Sequence, residues 1–336
     1  MGSTGDTEKN GMQFNTACSP KEYCKIMEYK KISVLIVTYK QADVIGRNIE
    51  SILQQKEFGL HEIIVCDDCS PDNNWEVIQS YVEKYPNIIR AYRNNPNLGI
   101  YGNSDKCASL HGDADLFCWL EGDDALEQGV FKGIQDYIAV NDVDVNEAVG
   151  IFCDYSSVNP NGVKTLHPNS YITSGKAPFS LFIRGLVSWR ASFFSQKVIS
   201  KFIPTVLDKG LALAEILFDS QWFRYVDKTY YCPIKGSIYF TEIGVSIQLG
   251  YQSSFKKEQA LTKWTYLLEN DFALGKKDIS WFKFKILQTK SLISPSVRNI
   301  LMAIPPYIKG VNGFNMPLIN GLKSNFSPMI KMLLKK

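Results

Sequence analysis

From Lys31 onward, apolar runs of strand length alternate with stretches whose apolar residues recur at helical spacing. Ser33-Val34-Leu35-Ile36-Val37 is a continuous run rich in β-branched residues, the pattern of a strand buried on both faces. Ile45, Ile49, Ile52 and Leu53 follow at i, i+4, i+7 and i+8, which predicts a helix laying one apolar stripe on a sheet. Glu62 to Cys66 reads as a second strand. Ser70-Pro71 then offers an N-cap and a first-turn proline to a helix bearing Trp75, Ile78 and Val82. Ile88 to Tyr92 predicts a third strand, residues 103–111 a short helix, and Asp115 to Leu120 a fourth strand. Val130, Ile134, Tyr137 and Ile138 mark another helix. This alternation predicts an α/β fold with a mostly parallel central sheet covered on both sides, and such sheets bind ligands at the carboxyl ends of their strands.

After residue 149 the pattern loosens. Val149 to Cys153 predicts a strand, Pro160-Asn161-Gly162 a turn, Ser188 to Phe194 a further strand, and Leu211 to Tyr225 a helix carrying Glu215 and Asp219. From about residue 256 the chain reads as helices in which Lys residues alternate with aromatic and aliphatic ones.

The composition narrows the class. With 45% hydrophobic and 21% charged residues, the 336-residue chain has the makings of a sizeable core. A net charge of +3 gives no electrostatic case for a nucleic-acid partner. No apolar run reaches the roughly 18 residues of a membrane span. The polar first thirty residues do not read as a secretory signal, which makes the cytoplasm the default. Cys66, Cys118 and Cys153 fall in strand-like runs, so buried free thiols are expected in place of a disulfide framework. Cys66 and Cys69 form a C-x-x-C, but no second pair or His cluster completes a metal site. His61, His111 and His167 are likewise scattered.

The chemistry collects in two acidic clusters, Asp67-Asp68 and Glu121-Gly122-Asp123-Asp124, each just past the carboxyl end of a predicted strand. Carboxylates brought together repel unless a cation or ligand hydroxyls compensate, and Mg²⁺ or Mn²⁺ would take these oxygens while bridging to phosphate. The plainer reading is that such acids cap the helices that follow. Prenyl-diphosphate synthesis, which also uses two aspartate-rich segments, would need helical surroundings for both.

Val37-Thr38-Tyr39-Lys40, Val65-Cys66-Asp67-Asp68-Cys69-Ser70-Pro71-Asp72, Asn97-Leu98-Gly99 and Leu120-Glu121-Gly122-Asp123-Asp124 together resemble the ordered motif set of family-2 glycosyltransferases. Lys40 stands where Asn or Asp is frequent in that family, and Glu121 where Asp is frequent. The resemblance implies a GT-A fold, a nucleotide-binding α/β sandwich, over residues 31–250. It assigns 31–148 to the nucleotide-sugar half and 149–250 to the acceptor half, with 1–30 an N-terminal extension and 251–336 a helical, basic appendage. Thr38, Tyr39, Asp67, Asp68, Asn97 and Gly99 are then expected to hold the nucleoside. Asp123, with Glu121 or Asp124, takes the role of the Asp-x-Asp motif, Glu121 toward the nucleotide and Asp123 and Asp124 toward a Mn²⁺ or Mg²⁺ on the diphosphate. An inverting transfer also needs a carboxylate to take the acceptor's proton. Asp219 is similar in context to the family's base, and Glu215, four residues earlier, is the second candidate.

The expected donor is a nucleotide sugar, uridine-linked by family habit, and the expected acceptor a glycan or lipid-linked glycan at the inner face of the membrane. The alternative is a GT-A-like binding module without catalysis. Tyr239 to Ser246 resembles the segment that closes the family's catalytic domain, without its Arg and His. For the C-terminal segment two readings stay open. Trp281, Phe282, Phe284, Ile286 and Leu287 among Lys283, Lys285 and Lys290 fit a peripheral membrane contact. So does the stretch of Met329, Ile330, Met332, Leu333 and Leu334 among Lys331, Lys335 and Lys336. Both fit equally well packing on the catalytic domain or on a second subunit.

Overall fold

The structure is a computed structural model. It describes residues 28–172, 187–190, 192–201, 225–241, 275–311 and 318–334, with isolated positions at 175, 181 and between 257 and 268. Strand β1 (Ile32–Thr38) leads to helix α1 (Ile45–Leu53), β2 (Leu60–Asp67) to α2 (Asn74–Lys84), β3 (Ile89–Arg93) to α3 (Gly99–Ser109), and β4 (Leu116–Glu121) to the two-residue β5 (Ala125–Leu126) and α4 (Val130–Val140). Then come β6 (Val149–Val158), β7 (Lys164–His167), β8 (Ser192–Ser195) with the short α5 (Gln196–Ile199), and β9 (Lys228–Phe240). Helices α6 (Lys276–Ile293), α7 (Val297–Val311) and α8 (Leu318–Leu334) follow.

Among the described residues nine strands form one sheet in the order β3-β2-β1-β4-β8-β6-β9-β5, with β7 paired to β6. The first four strands are parallel, as the alternating pattern predicts. The second half is mixed: β8 runs antiparallel to β4 and β6, and β9 runs parallel to β6.

The period-two alternation of each strand explains why the sheet is covered on both faces. Ile32, Val34 and Ile36 of β1 join Ile63 and Val65 of β2 and Cys118 and Leu120 of β4 on one side, under Ile45, Ile49 and Ile52 of α1 and Phe131 and Ile134 of α4. Leu35, Ile64, Cys66 and Phe117 point the other way, under Cys107 and Ala108 of α3. Phe282 of α6 is fully buried in that second core cluster, where it stacks on Trp264 with ring centroids 5.6 Å apart. Phe284, Ala303, Tyr307, Phe326 and Met329 form a separate small core among α6, α7 and α8. Trp281, Phe284 and Met329 therefore serve internal packing.

Several boundaries differ from the sequence reading: the helix expected over 103–111 spans Gly99–Ser109, the strand expected over Val149–Cys153 runs on to Val158, and two more bear on the site. Helix α2 starts at Asn74, with Asn73 at its N-cap and no side-chain capping bond, because the Ser70 hydroxyl is engaged by Asp67 instead. The β8 strand is confined to Ser192–Ser195. The turn at Pro160-Asn161-Gly162 is present between β6 and β7, and Gly162 supplies its positive φ of 77°. The helix expected over 211–225, with Glu215 and Asp219, lies outside the described residues.

Candidate active site

Register places the acidic clusters. Thr38 pairs with Asp67, Val37 with Glu121, and Asp67 with Arg93, so all these residues lie in one row at the carboxyl edge of the sheet. The order β2-β1-β4 sets the two clusters two strand spacings apart, about 10 Å.

The Asp67-Asp68 half is a fastened frame. Asp67 is fully buried and accepts hydrogen bonds from the Ser70 hydroxyl, the Ser70 amide (3.1 Å) and Asn74 Nδ2 (2.7 Å), with Arg93 Nε 3.3 Å away. Asp68 Oδ1 accepts from Asn94 Nδ2 (2.9 Å) and from the Leu98 amide (2.8 Å), and Asn97 Nδ2 donates to the Asp68 carbonyl at 2.6 Å. Asn97 Oδ1 in turn accepts from the Gly99 amide, and Gly99 has a φ of 75° that favours glycine. Thr38 is buried, its hydroxyl donating to Gln41 Oε1 at 2.7 Å and accepting from Asn74 Nδ2 at 3.2 Å. The structure thus brings Thr38, Asp67, Asp68, Asn97 and Gly99 together, with Tyr39 half-buried beside them under Lys40 Nζ. It also adds Asn94 and Asn103, whose amides join the Asp68 carboxylate to the Cys66 carbonyl. Lys40 and Cys69 both have positive φ, 56° and 57°, in the two loops that bound this edge. Short polar Asn and Asp tolerate that left-handed region best, a physical reason for their frequency where Lys40 stands.

At the end of β4 the Glu121, Asp123 and Asp124 carboxylates each offer an oxygen, and these oxygens lie within 4.8 Å of one another. Asp123 and Asp124 are buried. Burial first, and the Glu121 charge second, push the Asp123 carboxyl up to about 6 and raise that of Asp124 in the same direction. Asp124 Oδ1 is buried with no hydrogen-bond partner. Three converging carboxylates and an orphaned buried oxygen make an all-oxygen donor set suited to a hard divalent cation.

Two arginines hold this loop, and nothing in the sequence spacing announced either. Arg190 Nη2 donates to Glu121 Oε2 at 3.2 Å and its Nε lies 3.5 Å from Asp124 Oδ2. Its guanidinium lies over the Tyr239 ring, 4.2 Å from the centroid. Arg47 donates to the Asp123 carbonyl at 2.7 Å and lies over Phe240 at 3.5 Å, and burial lowers its pKa. Tyr239 and Phe240, at the end of β9, thus seat the two arginines. Asn48 Nδ2 donates to the carbonyls of Glu121 (2.7 Å) and Asp124 (3.0 Å). Gly122 is tightly enclosed: a Cβ there would come within 2.4 Å of Gln41 Oε1 and 2.8 Å of Thr38 Cβ. Its close neighbour is therefore the loop after β1.

Asp219 and Glu215 lie outside the described residues, as do residues 242–250. The histidines are dispersed: His61 meets Asp113, His111 meets Phe117, and His167 stacks on Tyr155. Cys66 is buried and Cys69 half-buried, and among the described residues neither belongs to a cluster with metal-ligand geometry.

A parallel half-sheet with an acidic loop at its carboxyl edge, continued by a mixed half in the same sheet, is the architecture of a GT-A-type domain. Residues 33–198 match the sequence model of Glycosyl transferase family 2, and that segment belongs to the family. The abequosyltransferase RfbV of Salmonella typhimurium is 34% identical over 110 residues, 32% of each chain. The poly(ribitol-phosphate) β-N-acetylglucosaminyltransferase TarP of Staphylococcus aureus is 26% identical over 117 residues, 34% of this chain and 35% of TarP. The matched segments thus span about a third of these relatives. Among solved structures, S. aureus TarS 1–349, crystallised with UDP-GlcNAc, superposes with a TM-score of 0.57 at 14% identity, covering 90% of this chain and 89% of TarS 1–349. That likeness establishes the fold.

Proposed function

We infer that the protein is an inverting glycosyltransferase that moves a sugar from a uridine-diphosphate sugar to a hydroxyl of a glycan or lipid-linked glycan, in surface polysaccharide assembly at the cytoplasmic membrane face. The observation that carries the reading is the Glu121, Asp123 and Asp124 cluster at the carboxyl edge of β4, with its orphaned Asp124 oxygen. Asp123 and Asp124 would hold Mn²⁺ or Mg²⁺, with Glu121 turned to the nucleotide. When bound, the ion supplies charge stabilisation to the departing diphosphate.

The chain's own residues do the rest. The frame of Asp67, Asp68, Asn94 and Asn97 fixes the loops on which a uracil base and ribose would lie beside Thr38 and Tyr39. Arg190 and Arg47 hold the acidic loop in place and offset part of its charge, so its carboxylates keep their geometry before a donor arrives. Asp219 takes the proton of the acceptor hydroxyl as that oxygen bonds to the anomeric carbon and the carbon–phosphate oxygen bond breaks. Glu215 is the alternate base.

A panel of UDP-, GDP- and dTDP-sugars with Mn²⁺ or Mg²⁺ tests this. The expected result is metal-dependent nucleotide release with one uridine donor, thermal stabilisation by that donor, and an inverted anomeric centre in the product by NMR. Donor-induced stabilisation with no transfer to any glycan acceptor would favour the binding-module reading. A retained configuration would overturn the single displacement.

A further inference from the structure

Charge is distributed very unevenly along this chain. Residues 276–336 carry eleven Lys and Arg against one acid, Asp278, a net of +10 in a protein whose total is +3, so the preceding part is net negative. The helices that carry this charge also expose apolar residues. On α7 the exposed positions are Val297, Arg298, Leu301, Met302, Pro305, Ile308 and Lys309, a spacing that puts them on one side of the helix. The opposite side, with Ile300, Ala303 and Tyr307, is buried against α6 and α8. A solvent-facing helix side is ordinarily polar. This one holds five apolar residues and two cations, with Leu301 60% and Val297 56% exposed.

The surface continues onto the neighbouring helices. A cleft of about 450 Å³ runs between α6 and α7, lined by Ile286, Leu287, Met302, Pro305 and Pro306, with Lys283 and Lys309 also on its wall. Lys276, Lys283 and Lys290 recur at seven-residue spacing on the exposed side of α6. On α8, Ile330 and Leu334 are exposed beside Lys331.

We propose that the outer side of α7, together with the α6 lysines and the end of α8, is a docking surface for an anionic lipid bilayer. Val297, Leu301, Met302 and Ile308 would enter the boundary between headgroups and acyl chains, and Arg298, Lys283, Lys290 and Lys309 would meet lipid phosphates. Charge selects this occupant over a second copy of the chain. Two-fold pairing of the same face would bring Arg298 and Lys309 against the same cations of the second copy, with no acid on α7 to compensate. The helix geometry agrees with shallow insertion. Pro305 and Pro306 deprive the Leu301 and Met302 carbonyls of their helical amide donors, and those carbonyls need the water still present at headgroup depth. Among the described residues no helix is long and apolar enough to cross a membrane. The proposal does not depend on sugar transfer, since vesicle binding reads it without turnover.

Co-sedimentation of the full chain with phosphatidylcholine vesicles, with and without phosphatidylglycerol, tests it. The protein should pellet only with the anionic vesicles and should be released by salt. Leu301→Glu should abolish recovery, and Lys283→Gln with Lys309→Gln should weaken it by about fivefold per lysine. Both variants should keep the native melting temperature, because the altered side chains are surface ones. Equal recovery in the supernatant for the native chain with both vesicle types would overturn the proposal. So would a native dimer, seen by light scattering, that Leu301→Glu dissociates while vesicle recovery stays at background. If Leu301→Glu misfolds, the lysine pair and the salt dependence still decide.

Discussion

Replacing Asp124 by Asn should make the metal-free protein more stable and the metal-loaded protein less responsive. Asp124 is only 2% exposed, and its carboxylate faces two like charges, Glu121 and Asp123, through oxygens no more than 4.8 Å apart. At an effective dielectric of about 20, each such pair costs about 3.5 kcal/mol or more, about 7 kcal/mol together. The Arg190 Nε lies 3.5 Å from Asp124 Oδ2 and returns about 5 kcal/mol on the same scale. Burial of the charge and the two like charges outweigh the attraction of Arg190 and Arg47, so the Asp124 carboxyl is raised and the net penalty on its charged form is on the order of 2 kcal/mol. An Asn amide removes the charge and keeps the volume.

The expected rise in melting temperature with chelator present is about 3 °C for a chain of this length. With Mn²⁺ at about 100 times its Kd, the native protein should gain about 2.7 kcal/mol and overtake the variant, which gains little. Differential scanning calorimetry of both proteins with and without Mn²⁺ reads the crossing directly. A variant that melts below the native protein in chelator, or one with an undiminished Mn²⁺ response, would refute the argument that these carboxylates converge for a cation.

Two further substitutions probe other parts of the site. Asp219→Asn should cut turnover by about 10²–10⁴-fold with donor affinity unchanged, the size of a general-base contribution; a larger loss in Glu215→Gln would move the base to that residue. Gly122→Ala should lower stability by about 1–3 kcal/mol, because a Cβ would press on Gln41 and Thr38, and an unchanged melting temperature would show that the β1 loop yields freely.

The first half of the fold was legible because each strand there is a short, uninterrupted apolar run and each helix repeats its stripe. Ile45, Ile49 and Ile52 are all fully buried, as their spacing requires. Strand β9 was not legible, and the register shows why. Pro233 and Ile234 have no partner on β6, since Cys153 pairs with Cys232 and Asp154 with Lys235. Gly236 is skipped in the same way between Lys235 and Ser237. A Pro and a Gly inside an apolar run read as turn formers in isolation, but here they occupy the irregularities that bend the strand.

That bend bears on the site. It is the far end of β9 that delivers Tyr239 and Phe240 beneath Arg190 and Arg47, and both arginines reach the loop of Glu121 to Asp124. The acidic loop could be found by inspection because its residues adjoin one another and follow a clear strand. The cations that offset it come from positions 69 and 76 residues away in the chain. Arg47 lies on the outer turn of a helix and Arg190 just before a four-residue strand, places where an arginine ordinarily means only a solvated surface. Their role appears only when the sheet brings β4, β8 and β9 to one edge. Local pattern thus identifies the groups that carry negative charge toward a ligand, while the groups that make this charge tolerable before a ligand binds are set by topology. A substitution at Arg190 should therefore act on the carboxylates it neighbours as much as on any substrate.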